Sequence, residues 1–144
     1  SYSTETLPNP NNRVTLSNEV DDLLIPRPKI HFEVDDYNKR AFEVGRQVIW
    51  TIFQALKATE MKFSSDPNAY SSANHIMGTC RMGVDRKTSV VNAECRAHDH
   101  RNLFILGASV FPTSGTANPT LAVVALALRA VGAIRSQLQA EHGN

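Results

Sequence analysis

Apolar and polar residues alternate in two short stretches near the start of the chain, which predicts two strands. The first covers residues 13–17, and the second, residues 29–34, alternates strictly. The apolar side chains of the second stretch share one face: Ile30, Phe32 and Val34. This pattern indicates a half-buried strand, with His31 on the other face as a solvated or hydrogen-bonded surface residue. The turn-rich residues 18–28 separate the two strands.

A helical periodicity follows and predicts one long helix over residues 36–59. Asp35 or Asp36 is suited to cap its N-terminus, because a short acidic side chain can accept hydrogen bonds from the first free N–H groups. Apolar positions recur at steps of three and four residues: Phe42, Gly45, Val48, Ile49, Ile52, Phe53 and Leu56. Trp50 and Phe53 could also contact a cofactor, but a stripe of this spacing is more typical of a hydrophobic core.

A continuous apolar run over residues 102–107 ends at Gly107. Such a run is typical of a strand covered on both faces, as in the parallel sheet of a doubly wound domain. Ligands of these domains bind beyond the carboxyl ends of the strands. We therefore expect a ligand beside the residues that follow the run, Gly107, Ala108 and Ser109.

The last helix has the clearest start signal. Asn118 has the chemistry of an N-cap residue, and Pro119 suits the first helical position, where a missing N–H costs nothing. The helix is predicted to run to Gln139. Residues 121–128 are apolar on nearly all sides, which predicts deep burial of the first two turns. The free N–H groups of its N-terminus then need hydrogen-bond acceptors.

Composition narrows the classes of function. The chain has 144 residues and a formal net charge of +1, which disfavours nucleic acid as a partner. Its apolar content of 42% is ordinary for a globular domain, and no uninterrupted apolar stretch is as long as the ~20 residues of a membrane span. The five histidines do not form a familiar zinc pattern, so no metal site is predicted.

The two cysteines, Cys80 and Cys95, form neither a C-x-x-C pair nor a disulfide framework. Two alternatives follow from this. Both can be free, partly buried thiols, or they can form a disulfide if the protein works in an oxidising compartment.

Three segments of the C-terminal half together carry a family resemblance. They are His75-Ile76-Met77-Gly78-Thr79-Cys80-Arg81-Met82-Gly83, Phe111-Pro112 and Asn118-Pro119-Thr120. Each segment alone has a structural explanation, such as a glycine turn or a helix start. Their combination resembles the carboxy-terminal part of a glucose-methanol-choline oxidoreductase, a flavoprotein that oxidises alcohols or sugars. The resemblance is clearest over residues 75–138 and weaker over residues 11–70.

This resemblance implies an α+β fold that is a fragment of such an enzyme. Residues 1–70, with the strands and the helix 36–59, would belong to the substrate domain. Residues 71–144 would supply the catalytic loop, one buried strand and the long C-terminal helix that complete the FAD site.

The resemblance also implies roles for individual residues. His75 would be the base that removes the hydroxyl proton while hydride passes to the flavin, since an imidazole can accept a proton near neutral pH. Asn118 would be the second polar group of the active site, at a position where some family members carry another histidine. An amide can orient the substrate oxygen but cannot take up its proton. The residues implied to contact FAD are Gly107, Ala108, Asn118, Pro119 and Thr120.

Several positions depart from the common family pattern. Gly107 stands where many members have an aspartate before Ala-Ser, and Asn92 replaces another common aspartate. The turn Arg96-Ala97-His98-Asp99-His100 also differs, and we interpret it as a polar turn rather than a metal site. These features are more similar to the flavin subunits of bacterial sugar and sugar-acid dehydrogenases, which act on fructose, gluconate or glucose.

The dinucleotide fingerprint G-x-G-x-x-G does not occur among the seven glycines. We therefore expect a fragment whose FAD-binding part lies N-terminally in the same protein. An electron-transfer subunit is compatible with the resemblance, as is a location in the bacterial cytoplasm or periplasm. The alternative is a catalytically silent structural or interaction domain that retained the fold.

Overall fold

The computed structural model of the chain describes residues 2–62, 74–115 and 117–142. Its regular elements are strands β1 (Arg13–Val20) and β2 (Pro26–His31), helix α1 (Asp36–Ala55), a 3-10 turn (Ala108–Val110) and helix α2 (Thr120–His142). This mixture of helices and strands confirms the predicted α+β class.

The chain divides into two compact units, which are described separately. One contains Ser1–Leu7 and Glu33–Asn74, and the other contains Pro8–Phe32 and His75–Asn144. This grouping differs from the division expected at residue 70, because the segment that bears both strands groups with the C-terminal half. The assignment of residues 1–70 and 71–144 to substrate and FAD domains concerns a longer protein and stays a prediction.

Strands β1 and β2 form an antiparallel hairpin in which Arg13 is paired with His31 and Leu16 with Pro28. The turn is shorter than the sequence predicted, because the Asp21 carboxylate closes it by accepting hydrogen bonds from the N–H groups of Leu23 and Ile25, at 2.9 and 3.0 Å. Both strands therefore extend into the residues predicted as turn. Prolines are tolerated in β2, since an edge strand need not donate every N–H group.

The prediction that Ile30, Phe32 and Val34 form the buried face of a strand is wrong. Ile30 is 75% exposed, and Phe32 is also exposed. An alternating pattern identifies the apolar face of a strand, but burial requires a second layer, and no such layer covers this face within the described residues. The prediction for His31 is confirmed, since its exposed ring lies 2.9 Å from the Thr15 hydroxyl.

Helix α1 begins as predicted. The Asp35 carboxylate accepts a hydrogen bond from the Asn38 N–H at 2.9 Å, so that Asp35 is the N-cap residue. The helix ends at Ala55, before the predicted end at residue 59, because Lys57 adopts a left-handed backbone conformation with φ of 53°.

The first turns of α1 are covered by the N-terminal segment of the same unit. The buried Asn38 side chain donates to the Glu5 carbonyl at 2.7 Å, and the Tyr2 hydroxyl donates to the Phe42 carbonyl. Gly45 allows the Tyr2 ring to approach, since a Cβ there would lie 2.3 Å from a ring carbon. The later part of the predicted core stripe is exposed, for example at Leu56. The stripe is therefore a core face only near its start.

The core of the C-terminal unit is built from loops and one helix. Its buried residues are Val91, Cys95, Val110 and Ala130, and the side chains packed against them are Met82, Ile105, Phe111 and Leu126. Single β-bridges join the loops, at Met82–Val91, Val91–Ala97 and Arg96–Phe104. The buried strand predicted over residues 102–107 is wrong, because only one bridge forms there and Leu103 and Leu106 are exposed.

Helix α2 is less buried than predicted. Leu121 is 82% exposed and Leu128 is 69% exposed, which contradicts the expected deep burial of the first two turns. Only part of its circumference packs on the core, through Leu126 and Ala130. By length and composition, residues 120–140 could also cross a membrane, with a mean hydropathy of 1.5. This criterion uses length and composition alone, and within the structure only 6% of the stretch is buried.

Replacing Asp35 by alanine should lower the free energy of unfolding by about 1 kcal/mol, because the Asn38 N–H loses its capping acceptor. Urea denaturation followed by circular dichroism measures the change. Asp36→Ala is the matched control, since that carboxylate lies in the first turn and only pairs with the exposed Lys39 at 3.2 Å. Equal losses for the two variants would contradict the capping role.

Candidate active site

His75 opens a segment that lies along the turn containing Gly107. The Cys80 N–H donates to the Ser109 carbonyl at 2.9 Å, and the Met82 N–H donates to the Val110 carbonyl at 2.8 Å. These two bonds bring together two regions that the sequence analysis singled out separately. His75 itself is exposed, so its imidazole is accessible to a small molecule.

Gly78 shapes the backbone between His75 and the first of these bonds. Its φ is +93°, a conformation that L-residues rarely adopt, and a Cβ at this position would lie 3.5 Å from the Phe111 carbonyl oxygen. The glycine is therefore needed for its backbone conformation, while the space beside it would accept a methyl group.

The turn that begins at Gly107 has free space beside its first residue. Gly107 has φ of +109°, and a Cβ there would meet no atom within 4 Å. The following residues form the 3-10 turn Ala108–Val110, whose last residue is buried in the core. A turn with open space beside its first residue is suited to a ligand that approaches the backbone closely.

The start of α2 lies one residue later than predicted. The Pro119 carbonyl accepts the first intrahelical hydrogen bond, from the Val123 N–H at 2.9 Å, and the helix begins at Thr120. Pro119 therefore occupies the N-cap position that the sequence assigned to Asn118. Asn118 lies just outside the helix and is exposed. The N–H groups of the first helical turn lack intrahelical acceptors, as at any helix start.

His75 and Asn118 are not joined directly in this chain. No hydrogen bond links their side chains within the part of the chain that the structure describes. Their segments meet at the core, where Met82 from the His75 segment and Ala130 from α2 both pack. Both polar side chains are exposed.

These residues fit one end of a flavin. A helix N-terminus favours negative charge and presents free N–H donors, and the open backbone at Gly107 permits close approach of a flat ring. They do not fit the adenosine diphosphate half, because none of the seven glycines belongs to a G-x-G-x-x-G turn.

Arg129 is a residue that sequence reasoning missed. Its guanidinium donates to the Ala93 carbonyl and lies 3.9 Å from the Met82 sulfur. Burial raises the pKa of the Cys95 thiol, while the nearby Arg129 charge lowers it and Glu94 adds a smaller upward effect. A solvent-facing arginine on an apolar helix carries no local signal of such a long-range contact.

Both cysteines are free thiols in the structure, which is the first of the two alternatives left open by the sequence. Cys95 is 0% exposed and belongs to the core, whereas Cys80 is partly exposed beside the Ser109 carbonyl.

The turn around Asp99 is polar, as predicted. His98 lies 2.9 Å from the Ser89 hydroxyl, and Asp99 forms an ion pair with Arg86 at 2.7 Å. The side chains of this turn therefore have separate partners. No group of three or more His, Cys, Asp or Glu side chains that could hold a metal occurs in residues 2–62, 74–115 or 117–140.

Comparison with known proteins gives a consistent assignment. A family model described as GMC oxidoreductase matches residues 8–127. The chain is 39% identical over 136 residues to the fructose dehydrogenase large subunit of Gluconobacter japonicus, covering 94% of this chain and 24% of that protein.

Two further relatives show the same pattern. Paromamine 6'-oxidase of Streptomyces fradiae is 33% identical over 135 residues, covering 94% of this chain and 25% of that protein. The gluconate 2-dehydrogenase flavoprotein of Pantoea cypripedii is 42% identical over 72 residues, covering 50% of this chain and 12% of that protein. The chain thus spans about a quarter of the length of the first two relatives.

Gly78→Ala should destabilise the protein by about 1–2 kcal/mol, because alanine would have to adopt a positive φ. The measurement is the free energy of unfolding. Gly132→Ala is the matched control, since a Cβ on that glycine of α2 meets nothing within 4 Å, and alanine favours a helix by about 0.5–1 kcal/mol. A stabilised or unchanged Gly78→Ala variant would contradict the role given to this glycine.

Proposed function

The chain belongs to the GMC oxidoreductase family, and from this we propose that it is the carboxy-terminal segment of an FAD-dependent enzyme that oxidises a CH–OH group. The family contains flavin-dependent oxidases and dehydrogenases of sugars and alcohols. The relatives of this chain include the large subunit of a fructose dehydrogenase and a gluconate 2-dehydrogenase flavoprotein. An alcohol or sugar is therefore the proposed substrate, and FAD is the proposed cofactor.

His75 is proposed as the catalytic base. Its side chain is exposed, and its segment is held to the Gly107 turn by the bonds from Cys80 and Met82. A neutral imidazole in this position can accept the hydroxyl proton of the substrate, an effect of typically ~100- to 10,000-fold on rate. One observation carries the proposal: the His75 side chain is exposed, while the backbone of its segment is hydrogen-bonded to the residues that follow Gly107.

Asn118 is proposed as the group that orients the substrate oxygen. Because Pro119 supplies the first helical acceptor, the Asn118 amide need not serve as the N-cap of α2. The amide can then donate a hydrogen bond to the substrate oxygen or accept one from its hydroxyl. His75 would take the proton, and Asn118 would hold the oxygen from which it leaves.

Bound FAD would accept the hydride from the substrate carbon. Gly107, Ala108, Pro119 and Thr120 are the residues of this chain proposed to lie beside it. A helix N-terminus carries about half a positive charge, and its effect on a nearby anion is up to ~2 kcal/mol. Such an interaction favours the reduced, negatively charged form over the oxidised one, which promotes the reaction.

We also propose how this chain is divided between the domains of the enzyme and which other parts the enzyme contains. Residues 1–70 would belong to its substrate domain and residues 71–144 to its FAD domain, with an N-terminal part holding the adenosine diphosphate. One relative is named as a large subunit, which supports a further subunit as a partner, and we propose electron transfer as the role of that subunit.

In the full-length enzyme, His75→Ala should lower kcat/KM by about 100-fold or more, because the proton acceptor is lost. Flavin content should remain close to that of the wild type. His100→Ala is the control, since this exposed histidine lies in the polar turn. Near-native turnover of His75→Ala would remove this residue from the mechanism and leave it a structural role.

The chain by itself should neither hold FAD tightly nor oxidise alcohols. Its contacts would reach only the flavin edge, and they would have to offset a cost of binding estimated at roughly 4–15 kcal/mol. Purified protein should therefore be colourless, and titration with FAD should show at most weak binding. A yellow protein with stoichiometric flavin after dialysis would overturn the proposal that the rest of the cofactor site lies elsewhere.

A further inference from the structure

We propose that Arg129 is a positioning residue that sets the register of α2 against the segment carrying His75. This inference rests on the proposed function, because it concerns where the N-terminus of α2 lies relative to the His75 imidazole. Arg129 would not touch substrate or cofactor. It would act through the helix that it holds.

Arg129 links three parts of the C-terminal unit. Its guanidinium donates to the Ala93 carbonyl and lies 3.9 Å from the Met82 sulfur. Met82 in turn donates its N–H to the Val110 carbonyl, and Gly83 donates to the Val91 carbonyl. One side chain of α2 thus reaches the end of the His75 segment and the loop at residues 91–97.

The acceptor of this hydrogen bond is held in a well-defined turn. The Asn92 side chain accepts hydrogen bonds from the N–H groups of Glu94 and Arg96, at 3.1 and 3.0 Å. The Cys95 N–H donates to the Asn92 carbonyl at 3.0 Å, and Cys95 is fully buried. The Ala93 carbonyl therefore provides a fixed point to which a helix can be tied.

The apolar contacts that Leu126 and Ala130 make with the core are not directional. Ala130 is 1% exposed, but its small side chain packs without directional contacts. A hydrogen bond is directional, so the neighbouring Arg129 can restrict both rotation and sliding of the helix. Thr120 lies roughly 14 Å away along the axis, at about 1.5 Å per residue, so a shift at Arg129 would reach the helix N-terminus.

The test uses the full-length enzyme with Arg129→Met, Arg129→Lys and the control Arg135→Met. Arg135 is an exposed arginine on the same helix. Turnover per bound flavin, KM, the flavin midpoint potential and thermal stability are measured for each variant.

Arg129→Met should lower kcat per bound flavin by roughly 10- to 100-fold, since a displacement of about 1 Å can have that effect. KM should change little, and the flavin potential should become more negative because the positive helix end moves away. Arg129→Lys, which keeps a hydrogen-bond donor, should recover part of the lost kcat and part of the lost flavin potential. Arg135→Met should match the wild type in every measurement.

A lower melting temperature of Arg129→Met with unchanged turnover per flavin and unchanged potential would overturn the inference, because the residue would then only stabilise the fold. If Arg129→Met does not fold, Arg129→Ala decides, because it also removes the donor, and wild-type turnover and potential in that variant would equally overturn the inference. His75→Ala separates this result from the proposed function. Loss of activity in His75→Ala with normal Arg129→Met kinetics would refute only the role of Arg129.

Discussion

Backbone hydrogen bonds between distant loops hold the C-terminal unit together. The Met82 N–H to Val110 carbonyl bond joins two segments that are far apart in sequence, and the buried side chains of Val91, Val110 and Ala130 pack around it. Without regular strands here, these bonds satisfy polar groups that would otherwise be costly to bury. This bonded pair of segments fixes the backbone near His75 and the turn at Gly107. It also forms part of the surface on which α2 packs.

The same chain leaves several apolar faces exposed. Ile30 on the hairpin, Leu56 at the end of α1 and Leu121 on α2 are prominent examples. A free-standing domain of this length would ordinarily cover more of its large apolar side chains. The proposal that the chain is one segment of a longer enzyme accounts for these faces, because the remaining segments would supply the missing layers.

The proposed chemistry agrees with the proposal that this chain is one segment of a longer enzyme. His75 lies in the loop segment that is bonded to residues 109 and 110, Asn118 lies just before α2, and both are exposed. In the proposed enzyme these residues would supply a proton acceptor, an orienting amide and a positive helix end. Recognition of the adenosine diphosphate would then fall to another part of the protein, since no G-x-G-x-x-G turn occurs in this sequence.

The sequence by itself determined the features that depend on neighbouring residues. Asp35 caps α1 as predicted, α2 starts within one residue of its predicted position, and the motif around His75 identified the family. Local patterns could not determine burial, so the strand predicted over residues 102–107 and the deep burial of α2 were wrong. The contact of Arg129 with Ala93 was also decided only by the tertiary structure. Periodicity shows which face of an element is apolar, whereas its partner depends on how distant segments pack.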